Sequence, residues 1–252
     1  KHMFSDYAKS WFELFSKPNI EEATRVSYQQ QIDSHLNPVL GEINVEDISL
    51  ECVQRLFNEQ SGTLETKKKT RMVLNMILDM AVEDGLLSKN PLKSSRFKMS
   101  GEASTKTEPY TVDEMKLMVS NLDQITKQTD KSFLALISMH PLRLEEVLGL
   151  QWGDIDLDNM TIRVERAVTH PDRNQPIVKD LKTDASRRTI PLTDRAAQCL
   201  TIGTESDFVV SGSSPLSYTQ VRRMCNRIAK EIGFPGKITP IRFRTTVLTD
   251  LY

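Results

Sequence analysis

The chain has 252 residues, of which 38% are hydrophobic and 27% charged, with a formal net charge of −1. That length accommodates two compact domains, and the composition is that of a soluble globular protein, not a membrane-spanning, repetitive or low-complexity one. No apolar run approaches the roughly 18 residues of a spanning helix, and no export signal opens the chain, so a cytoplasmic protein without a membrane partner is expected. Cys52, Cys199 and Cys225 are scattered, and no His, Cys, Asp or Glu cluster has metal-ligand spacing, so neither a disulfide framework, nor a metal, nor a cofactor is expected.

The opening residues Lys1 to Met3 read as a cloning remnant and are set aside. Phe4, Tyr7, Ala8, Trp11, Phe12 and Phe15 recur at helical spacing, predicting a first amphipathic helix that ends near Lys17-Pro18. Tyr28, Ile32 and Leu36 mark a second helix, broken at Asn37-Pro38-Val39-Leu40-Gly41. Ser49 caps a third helix carrying Val53, Leu56 and Phe57, and a long fourth one carries Val73, Leu74, Ile77, Leu78 and Ala81 before Asn90-Pro91. Four helices without a strand predict a bundle over residues 1–91. Residues 92–109 have the composition of an exposed linker, and residues 110–252 form the second domain.

Thr111 and Glu114 make a capping box at the start of that second domain. Helices follow around Phe133 to Met139 and Leu144 to Leu150, and then the period changes to alternation. Ile162, Val164, Ala167 and Val168, then Ile177 and Val178, then Thr189 to Leu192 predict an antiparallel sheet of three strands, with turns at His170 to Asn174 and Lys182 to Ala185. Helices resume at Thr193, at the Ser217–Gln220 capping box and after Thr239-Pro240. The fold class is therefore mainly α, with an α+β second domain containing a small three-stranded antiparallel sheet.

Basic residues outnumber acidic ones two to one from Glu65 to Lys98, and nearly so from Lys182 to Tyr252. Two positive segments in a chain of almost no net charge are either solvated helix faces or the two sides of a polyanion site. Three constellations carry candidate chemistry: Arg143-Leu-Glu-Glu146 before Leu148, Leu150 and Trp152; Lys182 on a turn before Ser186-Arg187-Arg188-Thr-Ile-Pro-Leu192; and Arg242-Phe-Arg244 after Thr239-Pro240. Taken singly, these are a local ion pair, a solvated turn lysine and a surface arginine pair.

Together, in this order and behind a four-helix domain, they resemble the tyrosine recombinase (phage integrase) family, of the phage and conjugative-transposon type, from about Phe4 to Tyr252. The resemblance implies a SAM-like, core-type DNA-binding domain over 1–91 and a catalytic domain over 110–252. It also implies double-stranded DNA as the partner, clamped between the two domains, and a tetramer at the synapse. The family's first arginine falls on Arg143, its β-turn lysine on Lys182 and its second arginine on Arg244. Two guanidinium groups would hold the non-bridging oxygens of the scissile phosphate, and the lysine would protonate the departing 5′ oxygen. A tyrosine nucleophile would conserve bond energy in a 3′-phosphotyrosine without ATP or metal. Lys67, Lys68, Lys69, Arg71, Arg187, Arg222, Arg223 and Arg242 are the expected DNA-binding cations.

Two departures stand out. Ile241 occupies the motif's histidine position, and Tyr252 is spaced as a core residue, not as the nucleophile, so a C-terminal segment carrying that tyrosine is expected to be missing. The alternative is a catalytically inactive recombinase-like DNA-binding protein. A helical transcription regulator would leave Lys182 on its turn without a role, and a type IB topoisomerase shares the chemistry but fits the domain order less well.

Overall fold

The computed structural model describes residues 2–104, 107–172, 175–181 and 186–250, and the chain divides into two units, Lys1–Lys106 and Thr107–Tyr252. In the N-terminal unit the first helix runs Phe4–Ser10 and continues through a wide π turn, Trp11–Ser16, and a tight turn, Lys17–Asn19. The second runs Glu22–Gln31, passes through another π turn, Ile32–Leu36, and remains helical over Asn37–Leu40. The break expected over residues 37–41 thus falls at the end of that run, at Gly41. Pro38 falls in the first turn of its segment, where an amide hydrogen is not needed. Helices Leu50–Glu59 and Leu64–Glu83 follow, capped by Ser49, which accepts from the Cys52 amide, and by Thr63, which accepts from the Thr66 amide.

These helices close on Phe4, Leu36, Leu40, Leu56, Phe57, Leu74, Ile77 and Leu78, all nearly or fully buried. Inside this apolar layer the Thr70 hydroxyl donates to Gln31 Oε1 at 2.8 Å, joining the second helix to the fourth. His2 and Met3, set aside in the sequence, take part in this unit: the Val45 amide donates to the His2 carbonyl at 2.8 Å, and Met3 bridges to Asn44. Residues 92–104, expected as an exposed linker, also make contacts with it. Leu92 is buried, Phe97 packs edge-on against Phe57, Gln54 exchanges hydrogen bonds with the Lys98 backbone, and the Leu64 amide donates to the Glu102 carbonyl. Apolar anchors at Leu92 and Phe97 hold a polar stretch that composition alone assigns to solvent.

The C-terminal unit is built on Gln128–Met139, a helix buried almost all round from Asp130 to Ser138. Val112–Ser120, carrying the Thr111–Glu114 capping box, precedes it, and the helices Leu144–Gly149, Asp194–Ala197, Tyr218–Glu231 and Pro240–Asp250 follow. The strands are β1 Ile155–Asp156, β2 Thr161–Val164, β3 Arg166–Asp172, β4 Gln175–Asp180 and β5 Arg188–Pro191. A three-stranded antiparallel sheet is present in the order β1-β2-β5, with Ile162 opposite Ile190, while β3 and β4 form a separate antiparallel hairpin with Val168 opposite Val178. The three alternating runs are thus all strands, but the first is interrupted at Glu165 and serves two sheets in turn. Gly149 lets the helix that starts beside Arg143 abut the hairpin: a Cβ there would meet the Arg166 carbonyl oxygen at 2.9 Å.

Candidate active site

A cleft of about 790 Å³ opens in the C-terminal unit, lined among others by Arg143, Arg222, Arg223, Lys237 and Arg244. Three elements bring arginines together at and beside this cleft. Arg143 sits at the head of Leu144–Gly149, with its backbone amide donating to Glu146 Oε2 at 2.8 Å and its guanidinium to Glu146 Oε1 at 2.9 Å. The local ion pair read from the sequence is there, but it is not a surface pair, because Glu146 is only 1% exposed.

Arg244 arrives on Pro240–Asp250, and Tyr110 pins the start of that helix. The Tyr110 hydroxyl accepts from the Thr239 amide at 2.6 Å, its backbone amide donates to the Thr246 hydroxyl at 2.7 Å, and its ring packs on Phe243. Burial pushes the Tyr110 phenol up, as befits a structural tyrosine. The Arg244 guanidinium has one nitrogen, Nη1, buried and without a hydrogen-bond partner among the described residues. Burial and then the neighbouring Arg143 charge, with a smaller contribution from Arg188, pull it below its ordinary value, against the opposing Glu146. A buried cationic donor left unpaired is costly, and cations facing one another across a cleft raise that cost further. Such a site is arranged for an anion.

The third element is β5. Arg188 donates from Nη1 to Glu146 Oε1 at 3.1 Å and from Nη2 to Glu146 Oε2 at 2.9 Å. Sequence reasoning passed over Arg188, although a signal was there. Consecutive strand residues face opposite ways, so of Arg187 and Arg188 only the latter shares a face with the buried Ile190.

The remaining expected residues fall into three groups. Arg222 and Arg223 are exposed on Tyr218–Glu231 and line the cleft, and Lys68, Lys69 and Arg71 are exposed on the N-terminal unit. Arg187 is exposed and donates to the Leu181 carbonyl at 3.0 Å, whereas Lys182 lies outside the described residues, as does Tyr252. Lys67 and Arg242 are corrected from surface cations to internal donors. Lys67 is buried with Nζ on the Phe57 carbonyl at 2.8 Å. Arg242 lies 3.8 Å over the Tyr110 ring and donates to the carbonyls of Glu108 and Pro109 and to Glu114. Ile241, at the histidine position, is 63% exposed on the cleft wall.

Comparison with protein-family models matches residues 110–252 to the phage integrase family and residues 4–97 to the phage integrase central domain. The chain belongs to the phage integrase family. It is a tyrosine recombinase of the phage and transposon integrase type. Among curated relatives, the prophage phiRv2 integrase of Mycobacterium tuberculosis is 26% identical over 97% of this chain and 66% of its own length. A XerC-like tyrosine recombinase of Caldanaerobacter subterraneus is 25% identical over 74% of this chain and 51% of its own length. The chain thus spans two thirds or less of these relatives. Among solved structures, the Tn1549 transposon integrase in complex with a circular intermediate DNA superposes with a TM-score of 0.80 at 16% identity, covering 100% of this chain and 87% of that one. A lambda integrase dimer bound to a core site gives 0.70 at 16% identity, covering 98% and 89%. At such identities the likeness is one of fold.

Proposed function

We propose that this integrase-family chain takes part in site-specific recombination, cutting and rejoining duplex DNA through a 3′-phosphotyrosine intermediate. The observation that supports this most directly is the buried, unpartnered Nη1 of Arg244 in a cleft shared with Arg143. An in-line attacked phosphodiester gathers negative charge on its non-bridging oxygens, and two planar guanidinium groups match those oxygens in charge and geometry. In this reading Arg143 and Arg244 hold the phosphate, and Lys182 protonates the 5′ oxygen as its bond to phosphorus breaks. A tyrosine oxygen forms the new bond to phosphorus, and the reverse attack by a 5′ hydroxyl reseals the strand without ATP. Residues 110–252 supply the two arginines and the lysine of this chemistry. Residues 1–91 bind the duplex, with Lys68, Lys69 and Arg71 on phosphates as Arg187, Arg222 and Arg223 are in the catalytic domain. Assembly on DNA is a tetramer, in the cytoplasm where the chromosome lies.

The test is a nicked duplex bearing the junction sequence of the element that encodes the chain. With the full-length protein, including the segment expected to carry the nucleophilic tyrosine, a protein–DNA adduct that survives SDS is expected, and it should vanish in Arg143→Ala and in Arg244→Ala. DNA binding without any adduct would instead favour a second reading, a recombinase relative that occupies DNA and does not cut it. Ile241 favours that reading, since an exposed aliphatic side chain on the cleft wall can neither donate to a phosphate nor move a proton.

A further inference from the structure

Glu146 carries an unusual load for one buried carboxylate. Its two oxygens accept from the Arg143 amide, the Arg143 guanidinium and both terminal nitrogens of Arg188. Arg188 also donates to the Pro141 carbonyl at 3.3 Å and to the Ser186 carbonyl at 3.4 Å. It therefore grips both the carboxylate that orients Arg143 and the backbone two residues before Arg143. Arg143 has a side chain that is 55% exposed and, by itself, many rotamers to choose from.

The geometry points to Arg188 as a positioning residue: it fixes Glu146, and through Glu146 it sets the Arg143 guanidinium in the cleft. This inference rests on the reading of Arg143 as a phosphate ligand. Among the described residues, the charged groups facing Glu146 are Arg143 from the start of its own helix, Arg188 from β5 and Arg244 from the C-terminal helix, with Glu145 beside it in sequence. Burial pushes the Glu146 carboxyl up, but the Arg188 hydrogen bond, followed by those from Arg143, outweighs it, and the net shift is downward. Without Arg188 the burial effect gains ground, the carboxyl takes up a proton closer to neutral pH, and its charge-assisted hold on Arg143 is lost.

Inorganic sulfate is a suitable probe, because its charge does not change between weakly acidic and weakly alkaline solution. Its binding is read from the side-chain Nε–H nuclear magnetic resonance signals of Arg143 and Arg244. Arg188→Met should weaken sulfate binding about tenfold, as loss of a charge-assisted bidentate contact does, with a deficit that grows as pH falls. Arg188→Lys should recover part of the loss, since it restores the charge but not the fork. In an Arg143→Ala background, Arg188→Met should have no further effect. An equal loss in that background would make Arg188 a direct ligand and overturn the inference. So would unchanged binding and pH dependence in Arg188→Met while Arg143→Ala abolishes binding, a result that leaves the phosphate reading standing. If Arg143→Ala itself changes nothing, the phosphate reading falls and takes this one with it. Should Arg188→Met fail to fold, Glu146→Gln keeps the side chain's shape, removes its charge and is expected to weaken sulfate in the same way; unchanged sulfate binding there overturns the inference.

Discussion

In the N-terminal unit the most buried cation, Lys67, donates to the Phe57 carbonyl and helps hold two helices together. In the C-terminal unit Arg244 is partly buried beside Arg143 and Arg188 with one donor unanswered. Both are basic residues in segments that composition marks as positive, yet Lys67 has its partner inside the fold, while Nη1 of Arg244 has none among the described residues. The contrast teaches that a basic segment alone does not say whether its buried donors are satisfied within the fold. Lys67 and Arg242, both expected on DNA, have internal acceptors; Arg244 Nη1 has none among the described residues.

Substitutions can break that contrast. The largest effect is expected from Arg244→Ala, which in the full-length protein should lower the yield of covalent adduct on a nicked duplex by about a hundredfold or more, in keeping with loss of one preorganised charge-stabilising donor. Its thermal midpoint should hold or rise, because an unsatisfied buried donor has gone. A clear fall in thermal midpoint would mean that Arg244 is a structural residue like Lys67. Lys67→Met should do the reverse, keeping DNA affinity and losing about 1–3 kcal/mol of stability in urea unfolding, the cost of leaving the Phe57 carbonyl unsatisfied.

A smaller effect should come with pH. His140 is buried, with one ring nitrogen on the Leu136 carbonyl and the other accepting from the Thr193 amide at 3.2 Å, and burial holds its pKa below 6.5. The unfolded chain therefore binds a proton at His140 more readily than the folded one. Stability contributed by the neutral ring is present above pH 6.5 and declines as pH falls below it. Thermal melts at stepped pH should show that decline, reduced in His140→Gln; an equal decline in the variant would acquit His140. The smallest effect belongs to Lys68, paired with Glu65 at 2.6 Å in solvent. Lys68→Ala should change stability by less than about 0.5 kcal/mol, while lowering the salt dependence of DNA binding by about one phosphate contact.

Much of this molecule is local and was readable. The Ser49, Thr111 and Ser217 caps need only residues three apart, and all three form as the sequence implies. The apolar positions of all four N-terminal helices are likewise set by their own spacing. The sheets were harder. Ile162 and Val168 belong to one run of alternation, but a run does not state its partners, and Glu165 divides it between β5 and β4. The run at 92–104 reads as a linker because its anchors, Leu92 and Phe97, are few and their pockets lie elsewhere in the chain.

Residue order alone determined the helical class, the capped helix starts and the family motif that singles out Arg143, Lys182 and Arg244. Only the tertiary structure decided which of these cations find acceptors inside the fold. Whether a lysine or arginine is a scaffold donor or a ligand for an anion depends on acceptors tens of residues away, such as Phe57 for Lys67 and Glu146 for Arg188. Hydrogen bonds and burial are properties of neighbours in space, and sequence spacing records only neighbours along the chain.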